Sequence, residues 1–138
     1  MKYIYLTLII LTCAACKEKV DRDHISEMNG YWEIEKVIFP DGSEKEYTIS
    51  TSIDYIEIKD GKGFRKKVQP KLNGTYDTSN DAEPFSLIEK NGNFSMHYKN
   101  AMSEWEEKIT DLSKNRLALS SQEGISYLYR RYEAINIE

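Results

Sequence analysis

Phe85-Ser86-Leu87-Ile88-Glu89-Lys90-Asn91-Gly92-Asn93-Phe94-Ser95-Met96-His97-Tyr98-Lys99 is the stretch whose pattern decides the fold. In its second half Phe94, Met96 and Tyr98 alternate with Ser95, His97 and Lys99. A period of two is the signature of a strand with one face in a core. Asn91-Gly92 sits between the halves, and such a pair tolerates the positive φ that a tight hairpin turn demands. The stretch therefore predicts two antiparallel strands, Phe85–Lys90 and Phe94–Lys99, joined by a short turn.

The same signals recur outward in both directions. Upstream, Phe64–Val68 reads as a strand with Phe64 and Val68 inward, stopped by Pro70. Asp60-Gly61-Lys62-Gly63 is a hairpin signal, and before it Ile53–Lys59 places Ile56 and Ile58 on one face. Tyr31–Phe39 turns Trp32, Ile34 and Ile38 one way and Glu33 and Glu35 the other. Pro40-Asp41-Gly42 then makes a turn into a short strand near Lys45–Ile49. Leu72–Asp77 puts Leu72, Gly74 and Tyr76 on a common face. Downstream, Trp105–Thr110 aligns Trp105 with Ile109. Leu117–Ser121 and Ile125–Tyr132 flank Gln122-Glu123-Gly124. No helical pattern exceeds two turns. About eight to ten short strands joined by hairpins predict an all-β fold, an antiparallel up-and-down meander barrel over residues 29–133. Closure removes the exposed strand edges. A short tail, 134–138, follows.

The chain has 138 residues, enough for one domain. Its formal charge is −4 and its pI near 5.3, which argues against nucleic acid as a partner. At 40% hydrophobic and 12% aromatic it has the apolar content of a folded domain rather than a disordered chain.

The N-terminus reads as an address. Lys2 precedes an apolar run from Tyr3 to Leu11, too short to span a bilayer as a helix. Thr12-Cys13-Ala14-Ala15-Cys16 follows, then a polar stretch from Lys17. This resembles the lipobox of bacterial lipoproteins, with Ala14 and Ala15 in the small positions and Cys13 where that family prefers leucine. The resemblance implies a signal peptide over residues 1–15, acylation of Cys16, and an outer-membrane anchor in a Gram-negative envelope. The alternative is an ordinary secretory leader with two incidental cysteines. Residues 16–28 are mostly charged and read as a flexible tether, with a short amphipathic turn near His24–Met28.

Gly30-Tyr31-Trp32 resembles the Gly-x-Trp that opens the first strand of lipocalins. The last strand, Tyr127-Leu128-Tyr129-Arg130-Arg131-Tyr132, supplies the arginine that lipocalins lay across that tryptophan. With Asp41-Gly42 and Gly74-Thr75-Tyr76, the order is similar to that of short lipocalin-like domains of bacterial lipoproteins. The resemblance implies a lipocalin-like barrel in which Gly30, Trp32 and Arg130 or Arg131 form a structural motif. Arg131 is the favoured partner of Trp32, because it shares strand parity with Tyr127 and Tyr129.

Chemistry-bearing patterns are sparse. His24 falls in the tether and His97 on an outward face, with no cysteine left in the domain. No metal site and no cofactor are expected. No serine occupies a nucleophile elbow, and Gly61-Lys62-Gly63 precedes no helix, so no catalytic residue is assigned and an enzyme is not expected. Lys62, Arg65, Lys66 and Lys67 read as a solvated basic hairpin. Glu104, Glu106 and Glu107 surround Trp105, and Glu107 shares parity with Ile109. If buried, Glu107 needs a partner such as Arg130 or Arg131. Two functions compete. One is a module holding a small apolar or amphipathic ligand against Tyr76, Phe94, Met96, Trp105 and Tyr129. The other is a solid-cored protein-interaction or inhibitor-like module that engages an envelope protein through its loops or an outer sheet face. A cavity of about 300 Å³ or more would separate them.

Overall fold

The computed structural model describes residues 19–50 and 52–134. Ten antiparallel strands follow a 3-10 helix, Arg22–Met28: β1 Gly30–Ile38, β2 Glu44–Glu46, β3 Ile53–Lys59, β4 Lys62–Pro70, β5 Tyr76–Thr78, β6 Glu83–Lys90, β7 Asn93–Lys99, β8 Glu104–Leu112, β9 Arg116–Ser121 and β10 Ser126–Arg131. Eight of them run β10-β9-β8-β7-β6-β4-β3-β1, and β1 pairs back onto β10, closing the barrel. The short β2 and β5 attach to β1 and β4. No described helix is long and apolar enough to cross a membrane.

The two shortest connections show why the hairpins form. Asp60 and Gly61 adopt φ of 54° and 77°, and Asn91 and Gly92 adopt 54° and 76°. Two successive positive values define the hairpin turn whose twist matches the strands it joins. Because strands alternate in direction, connections alternate between barrel ends. The β3–β4, β6–β7 and β8–β9 turns share one end with the 3-10 helix. The β1–β3, β4–β6, β7–β8 and β9–β10 connections share the other.

The first end is closed. Ile25 and Met28 of the helix are buried and join Trp32, Ile56, Ile58, Phe85, Phe94, Met96, Ile109, Leu117 and Leu119 in one cluster, with Val20 packed against it. The stretch expected as a flexible tether is therefore a plug over most of its length. A 3-10 turn buries two apolar side chains here because the barrel interior needs a floor.

β1 and β8 each carry a register slip, and β4 alternates regularly but turns the opposite face inward to the one expected. In β1 the pairing with β10 slips between Ile34 and Lys36. This bulge turns Val37, opposite Tyr127, inward and Ile38, opposite Ser126, outward, correcting the expected inward Ile38. In β4, Arg65 lies opposite the buried Ile56 and faces the interior, whereas Phe64 lies opposite the exposed Glu57. Phe64 instead packs on the outer face, its ring 6.0 Å from Tyr55. The expected strand at Leu72 is a turn closed by Gly74 N–H donating to Lys71 O, and Leu72 is 84% exposed.

Candidate functional site

At the closed end, Trp32 is fully buried and its indole N–H donates to Met28 O at 2.8 Å. The Arg131 guanidinium lies 3.9 Å from the centroid of the indole. Trp32 and Arg131 are directly opposite in the β1–β10 ladder, so their side chains share the inner face. The guanidinium also donates to three carbonyls: Nε to Lys114 O at 2.8 Å, Nη1 to Asn29 O at 2.6 Å, and Nη2 to Glu27 O at 2.5 Å. Gly30 completes the motif. Its φ is +123°, and a Cβ there would stand 2.6 Å from Arg131 Nη1. Arg130, one residue earlier, faces outward and pairs with Glu33 at 3.1 Å.

The open end carries the chemistry. A cavity of about 430 Å³ is lined by Arg65 and Lys67 from β4, Trp105, Glu106 and Glu107 from β8, Tyr127 and Tyr129 from β10, and the β9–β10 turn Ser121–Glu123. Its floor is a hydrogen-bonded ionic network centred on Arg65, whose side chain is 16% exposed. Arg65 Nη2 donates to Asp54 Oδ2 at 2.6 Å and to the Tyr129 hydroxyl oxygen at 2.5 Å, and Nη1 donates to Glu107 Oε1 at 3.2 Å. Lys67 Nζ lies 2.6 Å from Asp54 Oδ1, an ionic contact rather than a well-directed hydrogen bond. Two cations thus face two carboxylates, so the floor is neutral overall. Burying Arg65, Asp54 or Glu107 alone would be costly, and mutual pairing is what holds these three at the base of the cavity, with the exposed Lys67 reaching in to Asp54.

Protonation follows from the same contacts. Burial pushes the Asp54 carboxyl up, but Arg65 and Lys67 outweigh it and hold the group below its ordinary value. Burial pushes the Tyr129 hydroxyl up to about 12, against the opposing charge of Arg65. Tyr98 is raised for the same first reason. Both phenols therefore stay neutral at physiological pH, and the ionic form of the Arg65–Asp54 pair persists.

Of the residues expected to touch a ligand, the structure brings Trp105 and Tyr129 to the cavity wall. Trp105 is stacked on Tyr98, ring centroids 5.0 Å apart. Phe94 and Met96 are not there: they are 3% and 0% exposed within the apolar core cluster. Tyr76 lies outside the barrel altogether, stacked on Tyr31 at 4.2 Å with the rings 4° from parallel. β5 attaches only to the rim-side end of β4, so its residues have no route to the interior.

Sequence reasoning missed Asp54 and Arg65. Arg65 was read with its lysine neighbours, and only the register against Ile56 distinguishes it from them. Glu107 does face inward, with Arg65 as its partner rather than Arg130 or Arg131. His97 sits on the outer face with Nε2 2.6 Å from Glu104 Oε1. Among the described residues no three His, Cys, Asp or Glu side chains converge on a metal-sized site. Cys16 lies outside the described residues.

The rim of the open end is also distinctive. Of the five exposed large apolar side chains among the described residues, Phe39, Ile49, Leu72 and Met102 each belong to a connection at this end, and Ile88 lies in β6. Ile49, Leu72 and Met102 are 85%, 84% and 95% exposed.

Among solved structures, a lipocalin-like protein from Bacteroides uniformis ATCC 8492 is similar at 13% identity and a TM-score of 0.48, covering 77% of this chain and 99% of its own. An uncharacterized protein from Bacteroides eggerthii DSM 20697 is similar at 14% identity and a TM-score of 0.48, covering 76% and 99%. No curated protein matches the chain. The model of the lipocalin-like domain matches residues 28–119, about two thirds of the sequence. With that match, a closed eight-stranded barrel and a Trp32–Arg131 pair at its closed end, the chain belongs to the lipocalin-like domain family.

Proposed function

We propose that this is a lipid-anchored envelope lipoprotein, acylated at Cys16, whose barrel mouth holds a small amphipathic molecule. It is a binding protein rather than an enzyme. The observation that carries the reading is the open-end cavity of about 430 Å³, within the range of small-molecule sites. Its walls offer apolar faces from Trp105, Tyr127 and Tyr129, and its floor offers fixed polar groups around Arg65. Because the floor charges pair with one another and the wall adds Glu106 and Glu123, the ligand needs no negative charge. A molecule with an apolar body and a hydroxyl or amide head fits better than a plain hydrocarbon, which would leave the ionic floor without water.

The test uses the mature chain purified from envelopes. Native mass spectrometry should find a small-molecule adduct. The extracted ligand, returned at about 100 times its Kd, should add about 2.7 kcal/mol of stability, a melting shift of roughly 10 °C. The binding signal in tryptophan fluorescence should vanish in Trp105→Phe, since Trp32 is buried at the other end. No adduct and no melting shift with envelope lipid extracts would refute the ligand reading. A second reading, an envelope protein docked on the mouth, is favoured by the four apolar rim side chains. A protein that copurifies with wild type but not with a Leu72→Ser, Met102→Ser double variant would support it.

A further inference from the structure

The segment before β1 determines how the barrel can stand on a membrane. Lys19 Nζ lies 3.6 Å from where a Cβ on Gly92 would be, against the β6–β7 turn. Val20 packs on the core cluster, and Arg22 forms an ion pair with Glu89 at the end of β6. Ile25 and Met28 are buried beneath them. The chain is thus attached to the closed end from Lys19 onward, three residues after Cys16.

Covalent geometry then limits the anchor. A trans chain spans at most about 3.6 Å per residue, so Cys16 lies within roughly 11 Å of Lys19 in any conformation. The barrel is longer than that. Nine-residue strands such as β4 extend about 30 Å, and a barrel tilt near 40° leaves a height of about 20–25 Å. A lipid on Cys16 cannot reach around to the mouth.

We infer that the closed end is the membrane-facing surface of this protein and that the mouth opens away from the anchoring bilayer. The inference rests on the acylation of Cys16 proposed above. The surface suits the role. The turns at this end, Asp60-Gly61, Asn91-Gly92 and Ser113-Lys114-Asn115, expose no large apolar side chain. The exposed charges at this end, among them Lys19, Lys59, Lys62 and Lys90 with Asp21 and Asp60, are of both signs, a surface suited to headgroups rather than to insertion among acyl chains. The apolar tips Phe39, Ile49, Leu72 and Met102 are carried at the far end. The cavity therefore exchanges its occupant with the compartment it faces, or with a partner there, and not with the acyl chains of its own bilayer.

The test places a fluorophore at either end of the mature acylated chain, through Lys114→Cys at the closed end or Met102→Cys at the mouth. Lys90→Cys and Leu72→Cys form a second pair should either of the first fail to fold. The protein is reconstituted in phosphatidylethanolamine–phosphatidylglycerol vesicles carrying a headgroup nitroxide as short-range quencher. With the mouth about 20 Å farther out, the closed-end probe should be quenched at least about twofold more than the mouth probe. Equal quenching, or more at the mouth, in protein that floats with the vesicles overturns the orientation alone. Protein that does not float with them overturns the anchoring, and the orientation with it.

Discussion

Trp32 is held by the elements on either side of it: the 3-10 helix takes its N–H through Met28 O, and β10 lays Arg131 over its face. Trp32→Ala should cost about 3–5 kcal/mol in urea unfolding, as large buried aromatics do. Arg131 joins the plug, the last strand and the β8–β9 turn through three carbonyls. Lysine keeps the charge but cannot reproduce that fork, so Arg131→Lys should lose about 1–3 kcal/mol while leaving ligand affinity unchanged. At the other end Asp54 makes stability depend on pH. Its native pKa is lowered by Arg65 and Lys67. The native state therefore binds this proton more weakly than the unfolded chain does. The stabilisation is complete above the ordinary aspartate value of about 3.9 and is lost as pH falls through the lower native value. Asp54→Asn should reduce stability at pH 7 by about 3 kcal/mol, because it leaves Arg65 short of an anion. It should also flatten the acid limb below about pH 4. An acid limb unchanged in the variant would show that other carboxylates govern it.

At the scale of elements, the 3-10 helix is the piece whose role differs most from its composition. Five of its seven residues are polar or charged, yet Ile25 and Met28 reach the core. Met28→Ala should cost about 2–5 kcal/mol, a core truncation rather than a linker change. Amide exchange should show Asn29 N–H protected, since it donates to Ser26 O at 3.1 Å. A flexible spacer would show neither effect. The β1 bulge works in the same way on a smaller scale. It lets one strand offer Trp32 and Ile34 inward at the closed end and Val37 inward near the mouth, while Lys36 stays outside with Glu44 at 3.0 Å.

At the scale of the molecule, the interior is divided. The closed half is apolar and packed, and the open half is polar and hollow. Stability and binding are thereby separated along the barrel axis. Substitutions around Trp32 should cost folding and leave binding intact, whereas substitutions around Trp105 reach both, because Trp105 stacks on the buried Tyr98. The address is a property of the whole chain as well. Cys16→Ser should release the protein from the membrane fraction without changing the melting temperature of its barrel, measured by fractionation and circular dichroism.

Period-two alternation and the Asp-Gly and Asn-Gly pairs sufficed for the class of fold, because side-chain direction and turn φ are local properties of a strand and its hairpin. Gly30, Trp32 and the terminal arginines were legible through their resemblance to the lipocalin motif; parity left both arginines open, the face shared with Tyr127 and Tyr129 favoured Arg131, and the β1–β10 register places Arg131 opposite Trp32. Arg65, Asp54 and the exclusion of Phe94, Met96 and Tyr76 from the cavity were not legible. They depend on register between strands, on the attachment of β5 outside the barrel, and on which inward residues the core takes up. A basic residue among lysines looks solvated until closure sets it beside two carboxylates and a tyrosine hydroxyl. Alternating aromatics look alike until the 3-10 helix fills one end of the interior and leaves the other open. Local chemistry in the sequence determined that short antiparallel strands form, and the resemblance to lipocalins supplied the tie between the first and the last of them. Only the tertiary structure decided which inward residues are core and which are wall, because the height of a residue within the barrel is set by long-range pairing.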